Sequence, residues 1–407
     1  MKRLFAVLVL AVLLPAGLFA QTDSLRLVYT VSGSVADLST RRPIESVHVS
    51  IPSSNFATVT NADGEFTIKS DRPIREVTFS YVGYKTVRQI PTQGPMRVYL
   101  VPESFALDPA MSVAGDARTI VEAAVDRVAE NYVDQAELLE CFYRETVRKR
   151  QRYTYISEAV ARVYKTAYST TNARDRAALE KSRVLLSQRR TDTLSIKMQG
   201  GPTQAVTHDV VKNPDLLLAR SEMYLYNFEM MNPAMIDDRP QFVVKISPRL
   251  EAEYALYDGI MFIDMETLAF TRIEMSLDMS DRNKATRLML VKKPLSLRFT
   301  PQELSLVVTY RPNENGKMRM AYIRTTLRFR CDWRRRLFGT NYTVVNELVV
   351  TDLRQPVVAI DRAEMFRTSD ILEDKASEFL DPDFWKDYNI IEPSESLENA
   401  VERLRRR

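Results

Sequence analysis

The chain has 407 residues, of which 45% are hydrophobic and 27% are charged, and its formal net charge at pH 7 is +4. A chain of this length can form two or three domains with a large core, and this composition excludes a wholly disordered protein. The small net charge gives no electrostatic basis for binding nucleic acid.

The first twenty residues have the pattern of a secretory signal peptide. Lys2 and Arg3 precede an unbroken apolar run over residues 4–14, and the small residue Ala20 precedes Gln21. This run is shorter than the roughly 20 apolar residues that a membrane-spanning helix needs. We therefore expect residues 1–20 to be removed, which lowers the formal charge from +4 to +2 because two basic residues are lost. The mature protein is expected in the periplasm or at the outer membrane.

Two cysteines, Cys141 and Cys331, remain in the mature chain. An oxidising compartment would permit them to pair, but two distant cysteines do not make a disulfide framework. We expect two separate buried thiols, with a disulfide as the alternative.

Short runs of alternating, β-branched residues fill the segment from Tyr29 to Val101. Turn signals at residues 41–44, 52–55 and 61–64 separate these runs. The spacing predicts a sandwich of about seven strands. Asn61-Ala62-Asp63-Gly64 is predicted to be a tight hairpin turn, since Gly accepts positive φ and Asn and Asp cap their own backbone.

Several motifs in this segment resemble the carboxypeptidase-regulatory-like domain. They are Gly33–Asp37, Pro43-Ile44, Val47–Val49, Thr60–Phe66 and Phe79–Lys85, and together they cover about residues 27–102. The resemblance implies a transthyretin-like β-sandwich in an envelope protein of the Bacteroidota type. It does not imply an enzyme, because in that family the module is accessory.

Residues 103–136 are predicted to be a linker followed by a connector helix. Asp116 is placed as the N-cap, and apolar residues then recur on one helical face. These residues are Ile120, Val121, Ala124, Val125 and Val128.

Residues 137–365 are predicted to form a large, curved antiparallel β domain. Hairpin patterns are clear from residue 137 to 165 and again beyond Gln241, with basic residues 148–152 as a hairpin loop. Between them the pattern is weak: we expect a polar stretch at 173–187, a loop at 200–202 and a short helix from Asn213. Residues 281–283 are expected to be a turn.

Part of this β domain has a second, weak resemblance. Tyr257–Asp264 followed by Thr267–Phe270 resembles a hairpin of the periplasmic lipoprotein-carrier half-barrels. The resemblance implies an apolar hollow under a curved sheet.

Residues 366–407 are predicted to be an aromatic and helical tail. Aromatic residues cluster in Pro382–Ile391, and Ser396 is placed as the cap of a short helix. The tail lacks the terminal aromatic strand of an outer-membrane barrel.

No residue pattern indicates catalysis. His48 and His208 are the only histidines, neither belongs to a His-Glu-x-x-His pair, and catalytic zinc normally takes about three protein ligands. The sequence has no Gly-x-Ser-x-Gly elbow for a serine nucleophile, and Cys141 lies in an alternating strand where a packed thiol is expected. We therefore predict no catalytic residue, no cofactor-binding residue and no metal ligand.

Other charged groups are assigned structural roles. Asn61–Glu65 matches part of a calcium loop, but Lys69 and Ser70 occupy the region of the later ligands, so a turn is the preferred interpretation. Asp237-Asp238 and the pair Asp381 and Asp383 are expected in turns. The basic runs 334–336 and 405–407 are expected to be solvated, with acidic lipid head groups as the alternative partner.

These observations predict a non-catalytic cell-envelope protein with a binding or scaffolding role at the outer membrane. Its expected partner is another envelope protein, or an apolar or glycan ligand, with peripheral membrane contact left open and no nucleic acid. The first alternative is a carrier of lipid or another apolar ligand in a curved-sheet hollow. The second is a hydrolase whose site the sequence does not reveal.

Overall fold

The computed structural model describes residues 29–103, 116–170, 174–186, 196–333, 339–376 and 391. The predicted signal peptide, the helix expected at Ser396, the carboxylates Asp381 and Asp383 and both triple-arginine runs lie outside these residues. No helix in the described part of the chain is long and apolar enough to cross a bilayer.

Seven strands form a sandwich at the front of the chain, as predicted. One sheet has the order β4-β1-β7 and the other β3-β2-β5-β6. Phe66 and Phe79 meet edge to face between the sheets, with ring centroids 5.1 Å apart. The strands are β1 Tyr29–Asp37, β2 His48–Ser50, β3 Ala57–Val59, β4 Glu65–Ser70, β5 Val77–Ser80, β6 Val87–Gln89 and β7 Met96–Leu100.

The Asn61–Gly64 segment is a tight turn, but it is not a hairpin. It links β3 to β4, which belong to different sheets, so the chain turns a corner there. The Asn61 side chain accepts hydrogen bonds from the amides of Asp63 and Glu65, both at 2.9 Å. Gly64 has a φ of +74°, and a Cβ there would lie 2.3 Å from the carbonyl oxygen of Val35. The sequence predicted the turn chemistry, whereas strand pairing decided what the turn connects.

The connector forms two short helices, α1 Ala117–Asp126 and α2 Val128–Asn131. Asp116 is the N-cap residue, although its side chain makes no capping hydrogen bond. The predicted apolar face is confirmed, because Val121 and Ala124 are buried and Ile120, Val125 and Val128 pack beside them.

The rest of the chain builds one ten-stranded sheet in which all neighbouring strands are antiparallel. Its order is β10-β9-β8-β17-β16-β15-β14-β13-β12-β11. The predicted mainly β architecture is therefore confirmed. The strands are β8 Glu137–Lys149, β9 Arg152–Lys165, β10 Arg176–Leu186, β11 Tyr226–Ile236, β12 Arg239–Pro248, β13 Tyr257–Asp264, β14 Phe270–Leu277, β15 Leu297–Pro312, β16 Met318–Trp333 and β17 Thr340–Leu353.

Three local predictions were wrong. The polar stretch at 173–187 contains the edge strand β10, whose alternation is interrupted by a bulge between Leu179 and Lys181. The expected loop at 200–202 opens helix α3 Gly201–Thr207, with Pro202 in the first turn, where its missing N–H costs nothing. The expected turn at 281–283 starts helix α4 Arg282–Met289, because the Asp281 carboxylate accepts the amides of Asn283 and Lys284.

The inner face of the large sheet is the one that carries Tyr143, Val244, Val308 and Leu348. Helix α1 and the segment 201–225 lie over it and form one continuous apolar core with it. Two further residues, Phe366 and Leu372, join this core from beyond β17. The chain's own side chains thus fill this part of the sheet's hollow.

The two cysteines lie in separate apolar clusters on this face. Cys141 packs in the continuous core of the inner face, and Cys331 packs near Phe329 and Tyr342. Both thiols are free and buried, as expected. Burial raises the pKa of each thiol, for Cys331 to about 11.

The outer face carries Phe142, Val160, Tyr322 and Val349, and the sandwich packs on it. Val59 of β3 and Ile391 of the tail join these four residues in one cluster. A second contact lies near the β11–β12 turn, where Gly83 donates its amide to the carbonyl of Met235 at 3.0 Å.

A buried ionic network fixes the segment 201–225 to the inner face. Asp209 is fully buried and lies 2.8 Å from the ammonium of Lys165. Tyr168 and Tyr310 donate their hydroxyls to the same carboxylate at 2.7 and 2.8 Å. Burial alone would lower the pKa of Lys165, but Asp209 and Asp175 more than offset it, so its pKa lies above the usual value.

Replacing Asp209 tests this network. Asp209→Asn keeps the volume of the side chain but leaves the buried Lys165 ammonium with one carboxylate, so we expect a loss of about 3 to 5 kcal/mol in the free energy of unfolding. Urea unfolding followed by circular dichroism measures the loss. Asp215→Asn, at an exposed position on the same segment, should change stability by at most about 0.5 kcal/mol. A loss below about 1 kcal/mol for Asp209→Asn would contradict the role given to the network.

Candidate binding cleft

A cleft of about 560 Å³ lies where the sandwich meets the outer face of the sheet. Its sandwich wall comes from the turns after β1 and β5, and its sheet wall comes from β14, β15 and β16. We call this space the interface cleft. The side chains that line it include Asp37, Arg42, Glu45, Tyr81, Tyr84, Arg272, Tyr322 and Arg324.

Two tyrosines form the aromatic part of the cleft wall. Tyr81 and Tyr84 flank Gly83, whose φ of +77° makes the tight turn that brings the rings within 5.9 Å of each other. The Tyr84 hydroxyl donates to Asp37 at 2.8 Å. Burial of the phenol and, to a smaller extent, its hydrogen bond to Asp37 raise the pKa of Tyr84 to about 12. The phenol therefore stays protonated at neutral pH. The amide of Thr40, 2.6 Å from the carboxylate, lowers the pKa of Asp37.

Arginines provide the polar part of the wall. The Arg272 guanidinium lies 5.9 Å from the centroid of the Tyr81 ring, and its Nε is 2.6 Å from Glu274. Arg324 extends from β16 to Glu45 of the sandwich at 2.7 Å. This ion pair joins the two walls of the cleft.

The cleft combines aromatic surface with fixed hydrogen-bond donors and acceptors. Small-ligand sites are concave and use a few convergent polar groups to orient the ligand. Tyrosine offers an apolar ring with a polar hydroxyl, and arginine offers several donors in a planar fork. A ligand with many hydroxyl groups can satisfy both kinds of surface.

His48 lies in β2 at the second contact between the sandwich and the sheet. Burial and the nearby positive charge of Arg311 lower its pKa to about 3. Arg311 itself pairs with Asp237, and Asp238 accepts the amide of Thr86 at 3.1 Å. The Asp237-Asp238 pair thus lies in the β11–β12 turn, as expected. The Asp238 carboxylate attaches the sandwich to the sheet, whereas Asp237 pairs within the sheet, with Arg311 of β15.

His208 follows α3 on the inner face. Its Nδ1 is 3.1 Å from the Thr325 hydroxyl, and its Nε2 is 3.2 Å from the Gln204 side-chain amide. Burial lowers the pKa of His208 to about 4. A general base normally has a pKa near the working pH and a group that orients it toward a nucleophile. His208 has instead a threonine and an amide as its contacts.

The side chains that the sequence analysis considered for catalysis and assigned no chemical role, two histidines and Cys141, lie far from one another in the fold. His48 is at the outer face, His208 at the inner face, and Cys141 in the apolar core. Within the described ranges, no three His, Cys, Asp or Glu side chains are grouped so that they could hold a metal ion. The cleft residues were not recognised from the sequence, because they come from separate strands of two domains.

Two buried glutamates with opposite environments were also missed. Glu145 of β8 points to the inner face, where it accepts the Tyr143 hydroxyl at 3.0 Å, and burial raises its pKa to about 7. Glu158 of β9 points to the outer face, where Arg144 lies at 2.7 Å and Arg183 also pairs with it. Burial alone would raise the pKa of Glu158, but the two guanidinium groups more than offset it, so its pKa lies below the usual value.

The family of the front module can be read from one comparison. A family model described as the CarboxypepD_reg-like domain matches residues 31–104, the segment that folds as the sandwich. The sandwich is a CarboxypepD_reg-like domain. This confirms the resemblance carried by the motifs between residues 33 and 85. The match covers the CarboxypepD_reg-like domain alone and does not extend into the ten-stranded sheet.

Two solved structures are similar to longer parts of the chain. A DUF1329 family protein from Desulfovibrio piger is 10% identical with a TM-score of 0.24, and the match covers 61% of this chain and 97% of that one. MucB, solved in complex with MucA(peri), is 11% identical with a TM-score of 0.17, covering 57% and 94%. At these TM-scores the likeness carries no argument about function. A comparison with curated proteins gave no match.

Glu145 and Glu158 should contribute to stability with opposite dependences on pH. The folded-state pKa of Glu145 lies above its unfolded value, so its contribution is present below about pH 4.5 and is lost as the pH rises through 7. The free energy of unfolding of Glu145→Gln, relative to that of the wild type, should therefore rise by about 3 kcal/mol from pH 4.5 to pH 8.

Glu158→Gln is the matched control. Because the pKa of Glu158 is lowered in the folded state, its contribution to stability is present above about pH 4.5 and is lost in acid. This variant should lose about 3 kcal/mol at pH 8 and less at pH 3. Urea unfolding at the three pH values measures both variants. A difference in stability from the wild type that changes with pH in the same direction for both variants would refute the assignment.

Proposed function

We propose that the chain is a non-catalytic binding protein of the bacterial cell envelope whose interface cleft holds a hydroxyl-rich ligand of the oligosaccharide class. One observation carries the proposal: a cleft of about 560 Å³ places two tyrosine rings beside carboxylates and beside arginines from both domains. The CarboxypepD_reg-like domain supplies the two rings and the carboxylates, and the sheet closes the cleft with Arg272 and Arg324. The ligand would bridge the CarboxypepD_reg-like domain and the sheet.

Binding in the cleft is preferred to carriage of an apolar ligand in the sheet. The described part of the inner face is occupied by α1 and the segment 201–225, which bury their apolar side chains there. An acyl chain would have to displace this core and the Asp209 network that holds it. The interface cleft needs no such displacement.

Binding is also preferred to hydrolysis. The two histidines have pKa values of about 3 and 4, which are far from a general base at neutral pH. Burial raises the pKa of both thiols, which disfavours the reactive thiolate. The envelope location rests on the signal-peptide pattern and on the family of the front module.

Oligosaccharide binding tests the proposal. Full-length mature protein is titrated by calorimetry with cellopentaose, a neutral probe, and with pentagalacturonate, an acidic one. We expect saturable binding of at least one probe, weakened at least tenfold by Tyr81→Ala or Arg272→Ala, which remove the ring and the guanidinium that lies over it. Between pH 6 and pH 8 the affinity should stay constant, because the Tyr84 phenol remains protonated and Asp37 ionised.

Arg97→Ala is the control for a changed charge. Arg97 is exposed on β7 of the CarboxypepD_reg-like domain and does not line the cleft. Its replacement should leave the affinity unchanged. Binding that all three variants retain would place the ligand elsewhere. Hydrolysis of either probe, abolished by His208→Ala, would replace the binding function with an enzymatic one.

A further inference from the structure

Exposed apolar side chains gather at one end of the large sheet. In the chain between β14 and β15, the exposed fractions are 52% for Leu288, 82% for Val291 and 94% for Leu295. Tyr224 and Tyr254, which are 53% and 43% exposed, lie at the same end beside the starts of β11 and β13. Monomeric proteins rarely expose apolar groups together in this way unless the surface has a binding role.

Strand register shows that these segments share one end. Leu297, at the start of β15, pairs with Trp333 at the end of β16. Tyr257, at the start of β13, pairs with the end of β14. The β8–β9 turn lies at this end too, because Lys149 pairs with Tyr342 near the start of β17. We call the loops 249–256 and 278–296 and the turn 148–152 the basic end.

Helix α4 is part of loop 278–296 and packs against loop 249–256. Its Ala285 is fully buried against Ala255 of one loop and Leu277 at the end of β14. The segment that carries Leu288, Val291 and Leu295 is here called the apolar tip. Lys293 in this segment donates to the carbonyl of Leu297 at 2.8 Å, which holds the tip against the start of β15. The apolar tip is therefore supported by packing and a hydrogen bond on its strand side.

Basic side chains predominate at this end of the sheet. Residues 278–298 contain six basic and two acidic side chains, whereas loop 249–256 contains one basic and two acidic ones. The β8–β9 turn, which β17 and β16 separate from β15, adds four basic residues, Arg148, Lys149, Arg150 and Arg152. Basic groups beside exposed apolar groups are typical of surfaces that lie in the interfacial region of a membrane.

The opposite end of the sheet has the opposite character. Its β11–β12 and β13–β14 turns carry four carboxylates and one arginine. The CarboxypepD_reg-like domain is attached toward that end, through Gly83 and Thr86, and contacts the middle of the sheet through Tyr322 and Val349. The sheet thus has a charge asymmetry along its strands, with the basic end directed away from the attached domain.

We propose that the basic end docks on an anionic lipid bilayer, with Leu288, Val291 and Leu295 inserted among the acyl chains near the head groups. The lysines and arginines would lie at head-group level, where each interacts favourably with anionic lipid over about one Debye length. Apolar burial supplies the part of the affinity that does not depend on salt. This docking does not depend on the ligand proposed for the interface cleft, because the cleft lies between the CarboxypepD_reg-like domain and the sheet and not at the basic end.

Vesicle co-sedimentation of the full mature protein tests the docking. Vesicles of phosphatidylcholine with 30% phosphatidylglycerol should bind the protein at least tenfold more tightly than pure phosphatidylcholine. The double variant Val291→Asp/Leu295→Asp should weaken binding to anionic vesicles at least tenfold, and Arg287→Glu/Lys292→Glu should do so at low salt. All four positions are exposed, so folding should persist, which circular dichroism checks.

Ile90→Asp/Val358→Asp is the matched control. These side chains are 75% and 60% exposed but lie outside the basic end, so the variant should bind anionic vesicles like the wild type. As a second measurement, a Leu295→Trp variant should gain a fluorescence component that lipids brominated on the acyl chains quench.

Two results would overturn the docking. One is binding to anionic vesicles that is absent or that the Val291→Asp/Leu295→Asp variant retains. The other is a lipid-free oligomer that this variant dissociates, since the tip would then bind a second copy of the chain. Neither result bears on oligosaccharide binding in the interface cleft, so the two proposals can fail separately.

Discussion

An open sheet that is apolar on both faces must be covered twice, and this constraint governs the molecule. Antiparallel sheets commonly leave one face to solvent. Here Tyr143 and Leu348 are buried on the inner face, and Phe142 and Val349, their neighbours along the same strands, are buried on the outer face. The chain covers the inner face with its own helical segments. It covers much of the outer face with the CarboxypepD_reg-like domain.

The two covers are held by different interactions. On the inner face, a single carboxylate, Asp209, joins Lys165 at the end of β9, Tyr168 just after it and Tyr310 of β15, and so fixes the segment 201–225. A charge buried this deeply is tolerated only because every hydrogen-bonding position has a partner. On the outer face the contact is more dispersed, with an apolar cluster at its centre and the Arg324–Glu45 ion pair beside it. The interface cleft is the space that remains between two curved surfaces joined in this way.

Much of the fold was readable from local pattern. Alternation identified β8, β9, β12 and β15–β17, and the turn chemistry of residues 61–64 was correct. The prediction of strands failed where charged side chains interrupt the apolar alternation and form ion pairs with residues far away in the sequence. In β10, Glu180 and Arg183 pair with residues from other segments, so a buried strand looked polar. Asp281 showed a related ambiguity, since an aspartate that accepts nearby amides serves a turn and a helix cap equally well.

The sequence by itself determined the export signal pattern, the family of the front module and the all-antiparallel character of the rest, because each depends on residues close together in the chain. It also determined that His48 and His208 belong to no zinc motif. Only the tertiary structure decided that Asn61–Gly64 joins two sheets, that α1 and the segment 201–225 fill the described part of the inner hollow, and that Tyr81 meets Arg272 across a domain boundary. The tertiary structure also placed exposed Val291 and Leu295 at the same end of the sheet as the basic β8–β9 turn. These features depend on pairing between strands far apart in sequence, and local periodicity carries no information about which strands pair.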